Sequence, residues 1–134
     1  MRGMMRTVMA AGLVLAAQGA WAEPEPDLVA LRWQARPLLV FAQEPADPRY
    51  VAQMAQLSEA GGALRARDMV LFGDAAPERQ GALRARFAPE GFLLVLIGKD
   101  GGVKLATEEV TPPEALFALV DAMPMRRREM RQQE

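Results

Sequence analysis

Phe92-Leu93-Leu94-Val95-Leu96-Ile97-Gly98-Lys99-Asp100-Gly101-Gly102-Val103-Lys104-Leu105-Ala106 is the stretch that decides the fold class. Its first six residues are all apolar, the composition of a strand buried on both faces. Glycines and an Asp-Gly pair follow, and Asp-Gly supplies the positive φ that a tight hairpin requires. Residues 103–106 then read as the antiparallel return strand, with Lys104 facing solvent. The glycines do not make a phosphate-binding loop, because the spacing G-x-x-x-x-G-K-[ST] is absent.

Outward from that hairpin, Leu38-Leu39-Val40-Phe41 after Pro37 is another continuous apolar run and predicts a central parallel strand. A loop over residues 43–47 leads to Asp47-Pro48, an N-cap followed by proline at the first helical position. Tyr50, Val51, Met54 and Leu57 follow at helical spacing, and Gly61-Gly62 ends or kinks that helix. Residues 69–72 predict a second strand. Residues 77–87 predict a second helix, stopped by Pro89 and Gly91. Thr111, Pro112 and Glu114 fit a capping box for the last helix. Leu116, Phe117, Leu119, Val120 and Met123 give that helix an apolar stripe, and Pro124 ends or kinks it. Residues 28–33 predict one helical turn or an edge strand, and Trp33 reads as a core or lid aromatic.

The order is β-α-β-α-β-β-α. Crossover helices imply parallel strands, and the hairpin adds an antiparallel pair. That is an α/β, thioredoxin-like plan, a mixed sheet flanked by helices. Gly-Ala-Leu-Arg-Ala-Arg occurs at residues 62–67 and again at 81–86. The flanks of the two copies do not match, and arginines near two helix C-termini account for the echo.

The chain has 134 residues, with no Cys and no His. The missing Cys excludes disulfides, a thiol nucleophile, Cys-ligated zinc and iron–sulfur clusters. The missing His removes the usual general base and metal ligand near neutral pH. Residues 1–22 read as a signal peptide. Arg2 and Arg6 form a positive start, residues 7–19 are apolar or small, and Ala20-Trp21-Ala22 is an A-x-A cleavage signal before Glu23. The alternative is a retained N-terminal anchor. Arg2 and Arg6 leave with the leader, so 16 Lys and Arg become 14 against 17 Asp and Glu, a net charge of −3. The expectation is a periplasmic or secreted protein with no transmembrane segment after cleavage and no bias toward nucleic acid. Residues 23–27 form an acidic, Pro-rich lead-in, residues 28–124 the single domain, and residues 125–134 a basic C-terminal tail.

Several segments together resemble a known family. They are Trp33 through Ala42, then Asp47-Pro48-Arg49 and Gln53, then Arg67-Asp68-Met69-Val70, then Val95 through Leu105, and the ending Asp121 through Met130. They are similar to the bacterial family called domain of unknown function 4174, related to repeated domains of the animal extracellular protein coiled-coil domain-containing protein 80. The resemblance spans residues 28–130. It implies a thioredoxin- or peroxiredoxin-like fold and an exported location, and it supplies no established activity.

Thioredoxin-like enzymes carry a reactive thiol between the first core strand and its helix, where the helix N-terminus lowers its pKa. Here that stretch is Pro45-Ala46-Asp47-Pro48-Arg49, without Cys. The proline those enzymes place before the third strand is also missing, since Gly91-Phe92-Leu93 stands there. Thiol-disulfide exchange and peroxide reduction by thiol are therefore excluded. The same helix start is a possible anion site with Arg49 as a second contact; alternatively Asp47 only caps the helix and Arg49 pairs locally. Arg126, Arg127 and Arg128 are the other candidate contact residues. They could dock the chain on an anionic envelope surface or an acidic periplasmic protein, or belong to an exposed helix extension. No cofactor and no metal site is indicated, and no catalytic residue is assigned. The expected function is a non-catalytic binding or interaction module. The alternatives are an envelope-associated structural protein held by its basic tail, and an enzyme built on carboxylates such as Asp68, Asp74, Asp100, Glu108 and Glu109.

Overall fold

A computed structural model describes residues 24–133. The expected leader, residues 1–22, lies outside them. The first described residues are held in place: the Asp27 carboxylate accepts from the amides of Val29 and Ala30, capping α1 (Leu28–Leu31).

Strand β1 (Arg36–Phe41) is buried along its whole length. It lies between β2 (Met69–Asp74) and β3 (Leu93–Ile97), and β4 (Val103–Thr107) completes a four-stranded sheet in the order β2-β1-β3-β4. Alternation along β1 feeds two cores. Leu38 and Val40 meet Leu94, Leu96, Leu57, Leu64, Leu116 and Val120 on one face. Leu39 and Phe41 meet Phe72, Leu83, Val95 and Ile97 on the other. Helices α2 (Pro48–Glu59), α3 (Gly61–Ala66) and α5 (Pro113–Asp121) cover the first face, and α4 (Ala82–Phe87) covers the second. Helices on both faces of a mixed sheet are the α/β layering expected from the sequence.

Strands β1 and β2 are parallel, as expected across α2 and α3. Strand β3 corrects the expectation of a second parallel crossover: it runs antiparallel to β1, with Phe41 opposite Leu93. The reason lies in the connection. Residues 77–87 are not one helix. A 3-10 turn at Pro77–Arg79 ends at Gln80, which is left-handed at φ 53°, and only six residues form α4. Such a helix advances about 9 Å, whereas β1 is about 20 Å long. The chain stays at the end of the sheet where β2 stopped, and β3 starts there.

Helix α2 begins as expected, with Asp47 capping through the Arg49 amide and Pro48 in the first turn. Its buried stripe differs by one residue. Tyr50, Met54 and Leu57 face the core with Gln53, while Val51 points to solvent. Gln53 is fully buried; it donates to the Thr111 carbonyl at 2.9 Å and accepts from the Thr111 amide at 2.8 Å. Thr111 is therefore not the helix cap. Pro113 occupies the first turn of α5, Pro112 takes the cap position, and the Thr111 hydroxyl donates to the Glu109 carbonyl. The hairpin turns as expected, with Gly101 at φ 88° and the Asp100 carboxylate accepting from the Gly102 amide.

Pro124 starts a further helix, α6 (Pro124–Gln132). The residues expected as a basic tail therefore form an ordered element. Among the described residues, no helix is long and apolar enough to cross a membrane.

Candidate functional site: a cation-lined cleft

The start of β1, the end of β3 and the first turn of α6 converge at one end of the sheet. Trp33 sits at the corner between α1 and β1, in the left-handed region at φ 69°, and its amide donates to the Lys99 carbonyl at 2.7 Å. Of the two expectations for its side chain, core or lid aromatic, the structure overturns the first. Trp33 is 57 % exposed, outside both cores. Its ring is one wall of a cleft of about 380 Å³, shared with Arg36, residues 98–100, Lys104, residues 123–125 and Arg128.

Arg36 opens β1 and is 0 % exposed. Its Nη1 donates to the Arg67 carbonyl at 2.7 Å and to Glu129 Oε1 at 3.2 Å, and its Nη2 donates to Glu129 Oε2 at 3.2 Å. Its Nε–H is buried without an acceptor. An unpaired buried donor costs about 1–3 kcal/mol, so the cleft floor holds a guanidinium that its own chain does not satisfy. Lys99 Nζ lies 2.8 Å from Asp68 and 2.7 Å from Glu129. Burial opposes the Lys99 charge, and those two carboxylates outweigh it, so its pKa is raised above 10.5. Burial likewise opposes the Glu129 charge, but hydrogen bonds from Lys99 and Arg36 hold its carboxyl below its ordinary 4.5.

Helix α6 is pinned by the same network. Arg126 is 6 % exposed; it donates to Asp121 at 3.1 Å and to the Ala66 carbonyl at 3.1 Å. Arg67 grips the same Asp121 through Nε and Nη2 and lies 4.3 Å from the Phe117 ring centroid. The Arg67 hydrogen bond, and then that of Arg126, keeps the Asp121 carboxyl below 3.8 against the opposing effect of burial. Residue Met123 caps α6 with no side-chain hydrogen bond, so the first-turn amides beside the cleft lack a capping oxygen. The Arg128 side chain, exposed on the cleft wall, makes no hydrogen bond or ion pair within the described residues.

The candidate residues from the sequence divide between two ends of the sheet. Asp47 and Arg49 lie beyond the far end of β1, where Arg49 reaches back to Asp47 at 3.7 Å and lies 5.6 Å from the Phe92 ring centroid. Of the three arginines in the basic segment, Arg126 turns inward, Arg127 faces solvent and Arg128 lines the cleft. Arg36, Lys99 and Lys104 also line the cleft, and no motif in the sequence marks them as contact residues. The one available signal was a charge at each border of an apolar strand.

At the far end, Arg84 donates to the carbonyls of Ala42 (2.7 Å) and Asp74 (2.9 Å) and to the buried Asp74 carboxylate. Gln43 donates to the Pro89 carbonyl, closing the loop over residues 43–47. An arginine–aspartate pair and a closed loop thus stand at the end of the sheet where β1 hands over to α2. Among the described residues, no group of three acidic side chains is arranged to hold a metal ion.

The fold is thioredoxin-like. The chain spans 78 % of its length in common with Prx1a of Plasmodium yoelii, at a TM-score of 0.58 and 15 % identity over 82 % of that chain. A second similar structure, thioredoxin peroxidase I of Plasmodium yoelii, gives 0.56 at 15 % identity, covering 75 % of this chain and 79 % of that one. Reduced desulfothioredoxin from Desulfovibrio vulgaris Hildenborough gives 0.52 at 20 % identity, covering 74 % and 91 %. Residues 27–129 match the family described as Domain of unknown function (DUF4174), and the chain belongs to that family. No curated protein matches it in sequence.

Proposed function

We propose that this protein is an exported, non-catalytic binding module whose ligand site is the cleft between Trp33, the β3–β4 turn and the start of α6. The observation that carries it is the cleft floor: a buried guanidinium with an unsatisfied N–H, next to a free Arg128. A concave site with an apolar wall and a few charged groups suits a ligand. The chain has no Cys to support redox chemistry. Asp68 and Glu129 both pair with Lys99, and the Glu129 carboxyl is held below its ordinary range, the opposite of what a general acid needs. Docking to an envelope surface through the basic segment is the weaker alternative, because Arg126 is committed to Asp121. Export rests on the leader-like residues 1–22, and an N-terminus at Glu23 in the secreted protein would support it. The bacterial origin and the kinship with coiled-coil domain-containing protein 80 belong to the same proposal.

The test is a series of 1H–15N spectra with a fragment set graded in charge from dianion to monocation. Saturable shifts confined to Trp33, residues 98–102 and residues 123–128 are expected. Shifts that gather at Asp47 and Arg49, or none in the cleft, overturn the assignment.

A further inference from the structure

Resting on the cleft as the binding site, we infer that its ligand is a small amphipathic monocarboxylate, with the carboxylate beside Arg128 and the apolar body against Trp33. The charge balance of the walls selects the head group. Lys104 is matched by Asp100, and Lys99 and Arg36 share Asp68 and Glu129. Of the four cations that line the cleft, Arg36, Lys99 and Lys104 each have a carboxylate partner, and Arg128 has none among the described residues. One surplus charge fits a monoanion. A phosphate dianion would bring its second charge toward Asp100 and Glu129, and an ammonium would meet Arg128 directly. The guanidinium fork is planar and matches a carboxylate with two parallel hydrogen bonds.

Two further features point to the same head group. The first-turn amides of α6 lack a capping oxygen, and an anion at a helix start is favoured by those donors and by the helix dipole. Arg36 adds a buried positive group whose Nε–H has no acceptor. The body of the ligand is set by the other walls. Trp33, Met123, Pro124 and Met125 are apolar, and methionine side chains adapt to varied shapes. A cleft of about 380 Å³ lies in the lower part of the range for small-molecule sites, which suits one ring or a short chain.

The experiment titrates the full chain with 3-phenylpropanoate, 3-phenylpropyl phosphate and 3-phenylpropylammonium, reading Trp fluorescence and cleft amide shifts. A Trp33→Phe variant separates the Trp21 signal. The carboxylate should bind at least tenfold more tightly than the ammonium and at least threefold more tightly than the phosphate. Arg128→Gln should weaken it about tenfold. Arg127→Gln, one residue away on the solvent side, should leave it within twofold. Equal binding of the ammonium, tighter binding of the phosphate, or indifference to Arg128→Gln each overturns the carboxylate while the cleft remains the site. Silence of the cleft amides toward all three probes and toward the graded fragment set removes both the ligand class and the site.

Discussion

Replacing Glu129 with Gln tests whether charge, rather than apolar contact, fastens α6 to the sheet. Glu129 receives three charge-assisted hydrogen bonds, from Arg36 Nη1 and Nη2 at 3.2 Å and from Lys99 Nζ at 2.7 Å. At about 1.5–3 kcal/mol each they would sum to about 4.5–9 kcal/mol. Removing the carboxylate also removes its own desolvation penalty, several kcal/mol for a buried ion. Glu129 keeps 20 % side-chain exposure, and Lys99 retains Asp68. Arg36, fully buried, keeps the Arg67 carbonyl and the amide oxygen of the introduced glutamine but loses its counter-charge and meets an NH2 donor where the second carboxylate oxygen stood. The net loss should be about 3 kcal/mol, in the range for breaking a buried pair from one side. Urea unfolding should show a lower midpoint at unchanged slope, and Tm should fall by about 12 °C. Adding Arg36→Met to Glu129→Met should restore most of what Glu129→Met alone loses. A loss below about 1 kcal/mol, with additive single and double variants, would refute the charge-latch account.

The pH dependence has a defined sign. The pKa values of Glu129 and Asp121 are lowered in the folded state, so their contribution is complete above 4.5 and 3.8 and is lost as pH falls through the folded values. Tm should be level from neutral pH to about 5 and then drop, and the drop should be shallower in Glu129→Gln. Lys99, raised above 10.5, contributes below that value and loses its share only in stronger alkali. Gln53→Ala removes both hydrogen bonds to Thr111 and leaves its backbone unpaired; about 2–3 kcal/mol should be lost in urea, and a change under 0.5 kcal/mol would contradict that role. Arg126→Gln should destabilise by about 2 kcal/mol, whereas Arg127→Gln should be neutral within about 0.5 kcal/mol. Equal effects would mean that the inward turn of Arg126 is energetically silent. Leu116→Ala in the first core should cost about 2–5 kcal/mol by calorimetry.

Elements whose causes are local were legible in the sequence. The apolar runs at residues 38–41 and 92–97 hold central strands, because burial on both faces needs apolar residues at every position. Asp47-Pro48 capped α2, and Gly101 supplied the positive φ of the hairpin. Features decided by distant partners were not legible. Nothing near Arg36 announces its burial, since its carboxylate lies 93 residues away. Gln53 reads as a polar interruption of a helix face until Thr111 arrives beside it. Trp33 reads as a core or lid aromatic, and at a corner where its backbone is left-handed the ring stands outside both cores. The direction of β3 depended on where one helix of six residues could deliver the chain. Of the candidate contacts, Arg128 lines the cleft; Asp47 and Arg49 stand at the opposite end of the sheet.

The salt-linked seating of α6 also sets an order of events during synthesis. A chain that emerges N-terminus first exposes β1 early, with Arg36 among apolar neighbours and no counter-charge available. The carboxylate that neutralises it is made 93 residues later. Until residue 129 is free, the central strand of the sheet carries an uncompensated cation, and the cores around it close only at a cost. Synthesis of α6 therefore coincides with completion of the charge balance. A product that stops before α6 would keep every strand of the sheet and leave Arg36 with the Arg67 carbonyl but no counter-charge from Glu129.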